Sequence, residues 1–364
     1  MRVLQLIDSL EAGGAERLAL NYANALSERI TLSALVVTRR EGALKKQLND
    51  KVSYLLMNKK NAFDFRALLK LKSFVKRYKI TIVHAHGTSF FTAVLLKLIY
   101  PKIKLIWHEH YGARAEESRR NNLILLFCSS FFSCTFVVNH QLEVWAAKNL
   151  WTKKNYYIPN FAAFDDTILK ETFLKGEKDK RIVCLANLKE PKNHITILRA
   201  FAKMNLKDLG WSLHFIGKDY KDDYSVVLKE FISKNNLDKF IFIYDSRNDI
   251  QHILSQATIG LLASTSEGFP VTLLEYGLAK LPVLSTNVGY CPSIIKDDFS
   301  GLLFNPLDVF QLQLQLYKMI SGESLRISFA LHLQELVLDN YSKEKVIDLL
   351  IMNYKTLSIQ NSYK

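Results

Sequence analysis

The sequence predicts an α/β protein made of two facing Rossmann-like, doubly wound domains with a cleft between them. Three observations carry that expectation. Short apolar runs of strand length alternate with longer amphipathic stretches of helical period. The alternation passes through the first half of the chain, breaks, and begins again. The length, 364 residues, amounts to about two domains at roughly 150 residues each.

In the first set, Val3–Ile7, Leu32–Val37, Ile82–His84, Leu105–Trp107 and Thr135–Val138 read as buried parallel strands, with Ala15–Ser27 and Phe63–Tyr78 as helices between them. The polar, aperiodic segment Asn160–Lys180 reads as the linker. Ile182–Leu185, Ser212–Ile216, Phe240–Tyr244, Ile259–Ala263 and Val283–Ser285 form the second set, and Tyr341–Leu357 reads as one last amphipathic helix. The expected domains are 1–165, 166–340, and a helix in 341–364 that packs back on the first. From Leu123 to Val138 the chain is apolar for 16 residues but carries Ser129, Ser130, Ser133 and Thr135. A membrane span needs roughly 20 apolar residues, so this stretch reads as a buried helix followed by a strand.

Composition narrows the function. With 49% hydrophobic and 23% charged residues the chain is not disordered. Its four cysteines show no C-x-x-C spacing, which excludes a disulfide scaffold and a cysteine zinc site and suits a reducing compartment. Met1-Arg2 runs straight into a strand without a leader, so a cytoplasmic protein is expected. The net charge of +14 is lopsided: residues 1–165 hold 25 Lys and Arg against 12 Asp and Glu. A polyanionic partner fits that imbalance; a solubility bias is the bland alternative. Nucleic acid is not expected, because no RNP-like, helix-turn-helix or zinc pattern is present.

Four constellations fall where an α/β sheet binds ligands, at the carboxyl ends of strands. Gly13 and Gly14 follow the first strand and open a helix, where free N–H groups can hold a phosphate. In Ser266-Glu-Gly-Phe-Pro-Val-Thr-Leu-Leu-Glu275, Glu267 and Glu275 bracket a helix start, so two carboxylates that accept hydroxyl hydrogen bonds flank a phosphate cradle. Asn187, Lys189 and Lys192 lie in another post-strand loop, where an ammonium can neutralise a diphosphate. His84 and His86 close one strand, and His108 and His110 the next, with alternation placing His108 and His110 on one face. Taken singly, each also reads as an ordinary glycine turn, capping acids, a solvated basic loop, or core histidines. A zinc reading of the histidines lacks an H-E-x-x-H pattern and is not adopted.

The ordered set resembles the retaining glycosyltransferases of the GT-B fold known as family 4, or group 1. G-G-A-E follows the first strand, histidine ends a mid-domain strand, and I-P-N precedes the linker. L-x-x-x-x-x-x-K-N opens the second domain, and S-E-G-F-P-x-x-x-x-E, the EX7E motif, follows. The resemblance extends through Leu281-Pro-Val-Leu-Ser-Thr-Asn-Val-Gly289 and Gly301-Leu-Leu-Phe-Asn-Pro306, and covers about residues 2 to 357. It implies that Glu267 binds donor-sugar hydroxyls, Glu275 the nucleotide ribose, and Lys192 the diphosphate, with Gly13 and Gly14 beside it. Gly268, Phe269, Pro270 and Val271 complete the donor loop. His110 matches the histidine near the sugar, with His108 the alternative and His86 and Asn187 further candidates. The sequence departs from the pattern where Ala186-Asn187-Leu188 replaces G-R-L, leaving Lys189 as a point charge. It departs again where Lys280 replaces a glycine before L-P-V, at Ser293 and at Asn139.

The implied activity is transfer of a hexose-type sugar from a UDP-, GDP- or similar nucleotide sugar to a saccharide or lipid-linked saccharide, in bacterial surface polysaccharide synthesis. No D-x-D occurs, so a metal-independent reaction without cofactor is expected. The alternatives are a nucleotide-sugar epimerase on the same fold and a basic, non-catalytic binding protein. Residues Asn58–Lys79 hold eight Lys and Arg against Asp64 alone, with apolar residues at helical spacing. That suggests peripheral contact with an anionic membrane surface, at the inner face of the cell membrane.

Overall fold

The computed structural model describes residues 1–11, 13–112, 114, 122–164 and 167–359. The chain divides into two compact units, Met1–Asn160 with Glu344–Lys364, and Phe161–Lys343. The boundary expected at 165/166 lies outside the described residues.

The first unit begins with β1 (Arg2–Ser9), α1 (Gly14–Leu26), β2 (Leu32–Arg40), β3 (Ser53–Leu56) and α2 (Phe65–Arg77). It continues through β4 (Ile82–His86), α3 (Phe90–Ile99), β5 (Lys104–Glu109), α4 (Leu123–Ser129), β6 (Cys134–Val137), α5 (His140–Asn149) and β7 (Asn155–Tyr157). The second unit holds β8 (Arg181–Leu185), α6 (His194–Lys203), β9 (Ser212–Ile216), α7 (Asp223–Lys234), β10 (Ile241–Tyr244) and α8 (Ile250–Leu254). After these come β11 (Ile259–Leu262), α9 (Val271–Leu278), β12 (Val283–Thr286), α10 (Cys291–Ile294), β13 (Leu302–Phe304), α11 (Val309–Ser321) and α12 (Glu323–Tyr341). The last helix, α13 (Lys343–Ile359), belongs to the first unit from Glu344 on.

Both sheets are parallel. Their orders are β3-β2-β1-β4-β5-β6-β7 and β10-β9-β8-β11-β12-β13. Strand order reverses between β1 and β4 in one sheet and between β8 and β11 in the other, and ligands of doubly wound sheets bind at that reversal. The central strands carry Val, Ile, Leu and Phe because helices cover both faces. Ile7, Leu20, Leu35 and Val37 pack together in the first unit. Phe201, Leu213, Phe215, Leu284 and Phe329 do so in the second. In α13 the packing residues are Val346, Ile347, Leu350 and Tyr354, all nearly or fully buried.

The structure adds β3, β7 and β13, edge strands of only three or four residues. Three or four residues are too few to show a period or a strand-length apolar run. Two expectations need correction. The apolar stretch from Leu123 is not a buried helix: α4 buries Leu125, Leu126 and Cys128 but leaves Leu123, Ile124 and Phe127 49–65% exposed. Phe63 is no part of the stripe of α2. The helix starts after Asp64, whose carboxylate accepts from the Ala67 N–H at 3.1 Å, and Phe63 lies before this cap, 62% exposed. Leu68, Leu71, Phe74 and Val75 form the buried face. The expected linker is pinned in its second half: the Asp249 carboxylate accepts from the Glu171 and Thr172 N–H groups, and Gln256 from that of Leu174. Among the described residues no helix is long and apolar enough to cross a membrane.

Candidate active site

In the second unit the polar groups gather on both sides of the strand-order reversal. The loop after β8 carries Lys192 and the loop after β11 carries Glu267. Their side chains meet, Lys192 Nζ donating to Glu267 Oε1 at 2.6 Å, and Ser264 Oγ donates to the same oxygen at 2.6 Å. The pair is largely desolvated, with side chains 25% and 10% exposed. Two further ties hold the loops together. Asn193, at φ +55°, donates its amide to the carbonyls of Ala263 and Pro306, and the Thr265 N–H donates to Pro191 O at 2.9 Å. The loops therefore present lysine and acid as one unit.

Gly268, Phe269 and Pro270 lead from Glu267 into α9. Phe269 is buried against Tyr290, ring centres 5.2 Å apart, and Pro270 occupies the N-cap without a side-chain hydrogen bond. The N–H groups of the first turn, at Val271 and beyond, are thus not capped by a side chain, and the dipole of this eight-residue helix is positive there. Glu275 lies on the second turn, half-buried. The next residue fixes the helix: buried Tyr276 accepts from the Leu185 N–H at 2.9 Å and donates toward Leu261 O at 3.2 Å, joining α9 to both strands flanking the reversal. Asn187 accepts from the Lys218 N–H, shaping the loop after β8. Lys189 turns to the Tyr220 ring, its ammonium 5.8 Å from the ring centre.

At the same edge of the first unit's sheet, α1 begins at Gly13 and Gly14. Gly13 is an N-cap without a side-chain bond, and a Cβ on Gly14 would meet nothing within 4 Å. Beside them the four histidines form a stack. Ring centres are 4.4 Å apart for His84 and His86, 4.2 Å for His108 and His110, and 5.2 Å for His86 and His110. Ring nitrogens of His84, His86 and His108 lie within 4.8 Å of one another. The His84 and His108 rings are nearly parallel, 14° apart, and hydrogen-bonded edge to edge at 3.1 Å. Burial holds all four rings neutral, pushing His110 down to about 3 and the other three well below the usual range.

Several residues at these edges were given no role by the sequence. Glu109, fully buried, accepts from the His110 and Tyr111 N–H groups at 2.9 Å and pairs with Arg114, so it orients the strand end that carries His110. Burial raises its carboxyl pKa, and the Arg114 charge opposes that rise. Asp8 receives the hydroxyls of Thr38 and Thr88, both at 2.5 Å. Gly289, at φ +54°, backs the acid loop: a Cβ there would sit 1.7 Å from the Glu267 carbonyl oxygen. All four cysteines are free and buried, and burial pushes Cys184 and Cys291 up to about 12, which removes them as nucleophiles at neutral pH.

Two doubly wound units of this kind are the parts of the GT-B fold. HepE of Anabaena, whose structures hold UDP with glucose or UDP-glucose, matches with a TM-score of 0.81, 15% identity, and cover of 98% of this chain and 100% of HepE. Two family models match successive stretches: glycosyltransferase family 4 over residues 12–162, and glycosyl transferases group 1 over residues 165–330. The chain belongs to the group 1 glycosyltransferases. It is 24% identical to the amylovoran biosynthesis glycosyltransferase AmsD of Erwinia amylovora, over 90% of this chain and 93% of AmsD. It is also 24% identical to the UDP-Gal:alpha-D-GlcNAc-diphosphoundecaprenol alpha-1,3-galactosyltransferase of Escherichia coli, over 76% of this chain and 77% of that enzyme.

Proposed function

We propose that this glycosyltransferase moves a hexose-type sugar from a UDP-sugar to a saccharide or lipid-linked saccharide in bacterial surface polysaccharide synthesis, retaining the anomeric configuration and using no metal. The observation that carries this reading is the Lys192–Glu267 pair, held at the strand-order reversal beside the uncapped start of α9. A sugar diphosphate has the matching chemistry. Its phosphates take up an ammonium and helix N–H groups, and its hydroxyls donate to carboxylates. On arrival the diphosphate competes for Lys192 and releases a Glu267 oxygen to the sugar, while Glu275 accepts from the ribose. Gly268, Phe269, Pro270 and Val271 form the wall of this pocket, with Asn187 and Lys189 beside it. Within the first unit, the turn at Gly13 and Gly14 has the chemistry to hold a phosphate, and His110, with His86 and His108, that to meet sugar hydroxyls.

In the reaction the bond from the anomeric carbon to the diphosphate oxygen breaks and a bond from the acceptor oxygen forms on the same face. The acceptor's proton passes to the departing phosphate oxygen. The protein stabilises the growing charge on that oxygen with Lys192 and the helix start. UDP is the donor nucleotide favoured by the HepE complexes and by the name of the E. coli galactosyltransferase, whose acceptor is lipid-linked. Incubation of UDP-glucose and UDP-galactose with an N-acetylglucosaminyl-diphospho-lipid analogue in EDTA tests the reading. An α-linked product by NMR is expected. A β-linked product, or turnover that needs added magnesium or manganese, contradicts it.

The acceptor side suggests a surface partner. α2 carries exposed Phe65 and Leu69 among Arg66, Lys70, Lys76 and Arg77, with Phe63 just before it. Lys72 and Lys76 line a pocket with Lys79 and Lys102. Both sets have the chemistry of a contact with an anionic lipid surface, and they support the reading of a cytoplasmic protein that is peripheral at the inner face of the cell membrane.

A further inference from the structure

The histidine stack is wired to two residues far away in sequence, and the wiring has a direction. Gln5 on β1 lies between two chains of hydrogen bonds. Along one, its amide nitrogen reaches the Tyr354 hydroxyl at 3.2 Å, Tyr354 reaches His84 Nδ1 at 2.6 Å, and His84 Nε2 reaches His108 Nδ1 at 3.1 Å. Along the other, Gln5 Oε1 meets His86 Nε2 at 2.8 Å, and His86 Nδ1 meets His110 Nε2 at 2.9 Å. Each chain ends on a buried ring nitrogen, His108 Nε2 and His110 Nδ1, for which no hydrogen-bond partner exists among the described residues.

A neutral imidazole has one N–H and one lone pair, so each link fixes the next. Gln5 Oε1 can only accept. His86 therefore carries its proton on Nε2 and accepts at Nδ1. His110 must then donate from Nε2, leaving Nδ1 as an open acceptor. The Gln5 N–H donates to Tyr354, whose single hydroxyl proton goes to His84 Nδ1. His84 then donates from Nε2 to His108 Nδ1, leaving His108 Nε2–H as an open donor. Turning the Gln5 amide over reverses every link and exchanges the two ends. In either orientation one end donates and the other accepts.

We propose that Gln5 and Tyr354 are positioning residues that lock the four histidines into a single tautomer, so that His108 and His110 present one donor and one acceptor to a neutral hydroxyl of a bound sugar. A hydroxyl is the group that donates and accepts at once; a phosphate or carboxylate offers no proton for the open acceptor. Tyr354 gives α13 a part in the site, because its hydroxyl is the link that relays the Gln5 setting to His84 and His108. The hydroxyl ligand rests on the proposed transferase reading; the tautomer pattern does not.

Long-range proton–nitrogen correlation spectra of the full chain labelled with 15N-histidine test this at neutral pH. The expected wild-type spectrum has His84, His86, His108 and His110 neutral and in one tautomer, Nε2–H for the amide orientation described. Tyr354→Phe keeps the volume and cuts one chain. His86 and His110 should stay in that tautomer while His84 and His108 become mixtures. If Tyr354→Phe does not fold, Gln5→Met cuts both chains, and all four rings should become mixtures. A charged or mixed ring among the four in wild type, or variants whose tautomers match wild type, overturns the proposal. Two titrations then find the hydroxyl. Movement of the His108 Nε2 and His110 Nδ1 signals with UDP-glucose assigns it to the donor sugar. Movement only with methyl α-glucoside, at concentrations that saturate, assigns it to the acceptor. Movement with neither overturns the hydroxyl assignment. Failure of UDP-glucose to bind at all would overturn the transferase reading and leave the tautomer pattern standing.

Discussion

Gly289 is the residue on which the acid loop depends most directly. Its φ of +54° lies in the left-handed region, and any Cβ would overlap the Glu267 carbonyl oxygen. Gly289→Ala should destabilise the second unit by about 1–3 kcal/mol through backbone strain and displace Glu267. The expected outcome is a lower Tm together with weaker UDP binding; a variant with wild-type values for both would show that the two backbones do not meet. Lys280 makes the contrast, adopting φ +55° with a side chain, at a cost of about 1–2 kcal/mol relative to glycine. The sequence showed Glu267, Glu275 and Lys192 because their motif is dense. It could not show that Lys192 and Glu267 pair, or that Tyr354 reaches His84, because 75 and 270 residues separate these partners.

At the scale of elements, α2 and α4 show what a hydrophobic pattern leaves open. The pattern of α2 identifies the face that docks on the sheet. The exposure of Phe63, Phe65 and Leu69, and of Leu123, Ile124 and Phe127 on α4, depends on what packs against them, which is a tertiary matter. Buried central strands, and the edge strand β10, were legible as apolar runs, whereas β3, β7 and β13, of three or four residues, were not. If the exposed face of α2 meets lipid, each Lys or Arg near an anionic surface contributes about 1 kcal/mol, screened by salt. Wild type should therefore cosediment with phosphatidylserine-containing vesicles at low salt and be released at high salt. The variant with Lys70, Lys72, Lys76 and Arg77 changed to Gln should remain in the supernatant. Equal sedimentation of the two proteins would remove α2 as the contact.

For the whole molecule, the buried histidines set the response to acid. Burial holds His84, His86 and His108 well below the ordinary value, and pushes His110 and His214 down to about 3 and His194 to about 4. The unfolded chain takes up protons at these sites below about pH 6.5 while the folded chain does not, so stability falls as pH falls through that value. Each site contributes about 1.4 kcal/mol per pH unit until its folded pKa is reached. Six such groups spread over both units outweigh an ordinary stability of about 5–15 kcal/mol within a few units. Urea unfolding should show a midpoint that drops steadily from pH 7 to pH 5. A level midpoint over that range would mean that the rings are protonated in the folded state.

Calorimetric titration of UDP-glucose into wild type, Glu275→Ala and Lys192→Ala, each checked for folding, tests the central claim that the second unit binds a nucleotide sugar through these groups. Losing a charged hydrogen-bond partner is worth roughly 1.5–3 kcal/mol, or about ten- to a hundredfold in affinity. The account predicts saturable binding to wild type in the presence of EDTA and a loss of that size in each variant. Wild-type affinity in both folded variants, or no binding of UDP-glucose to the wild-type protein, would contradict it.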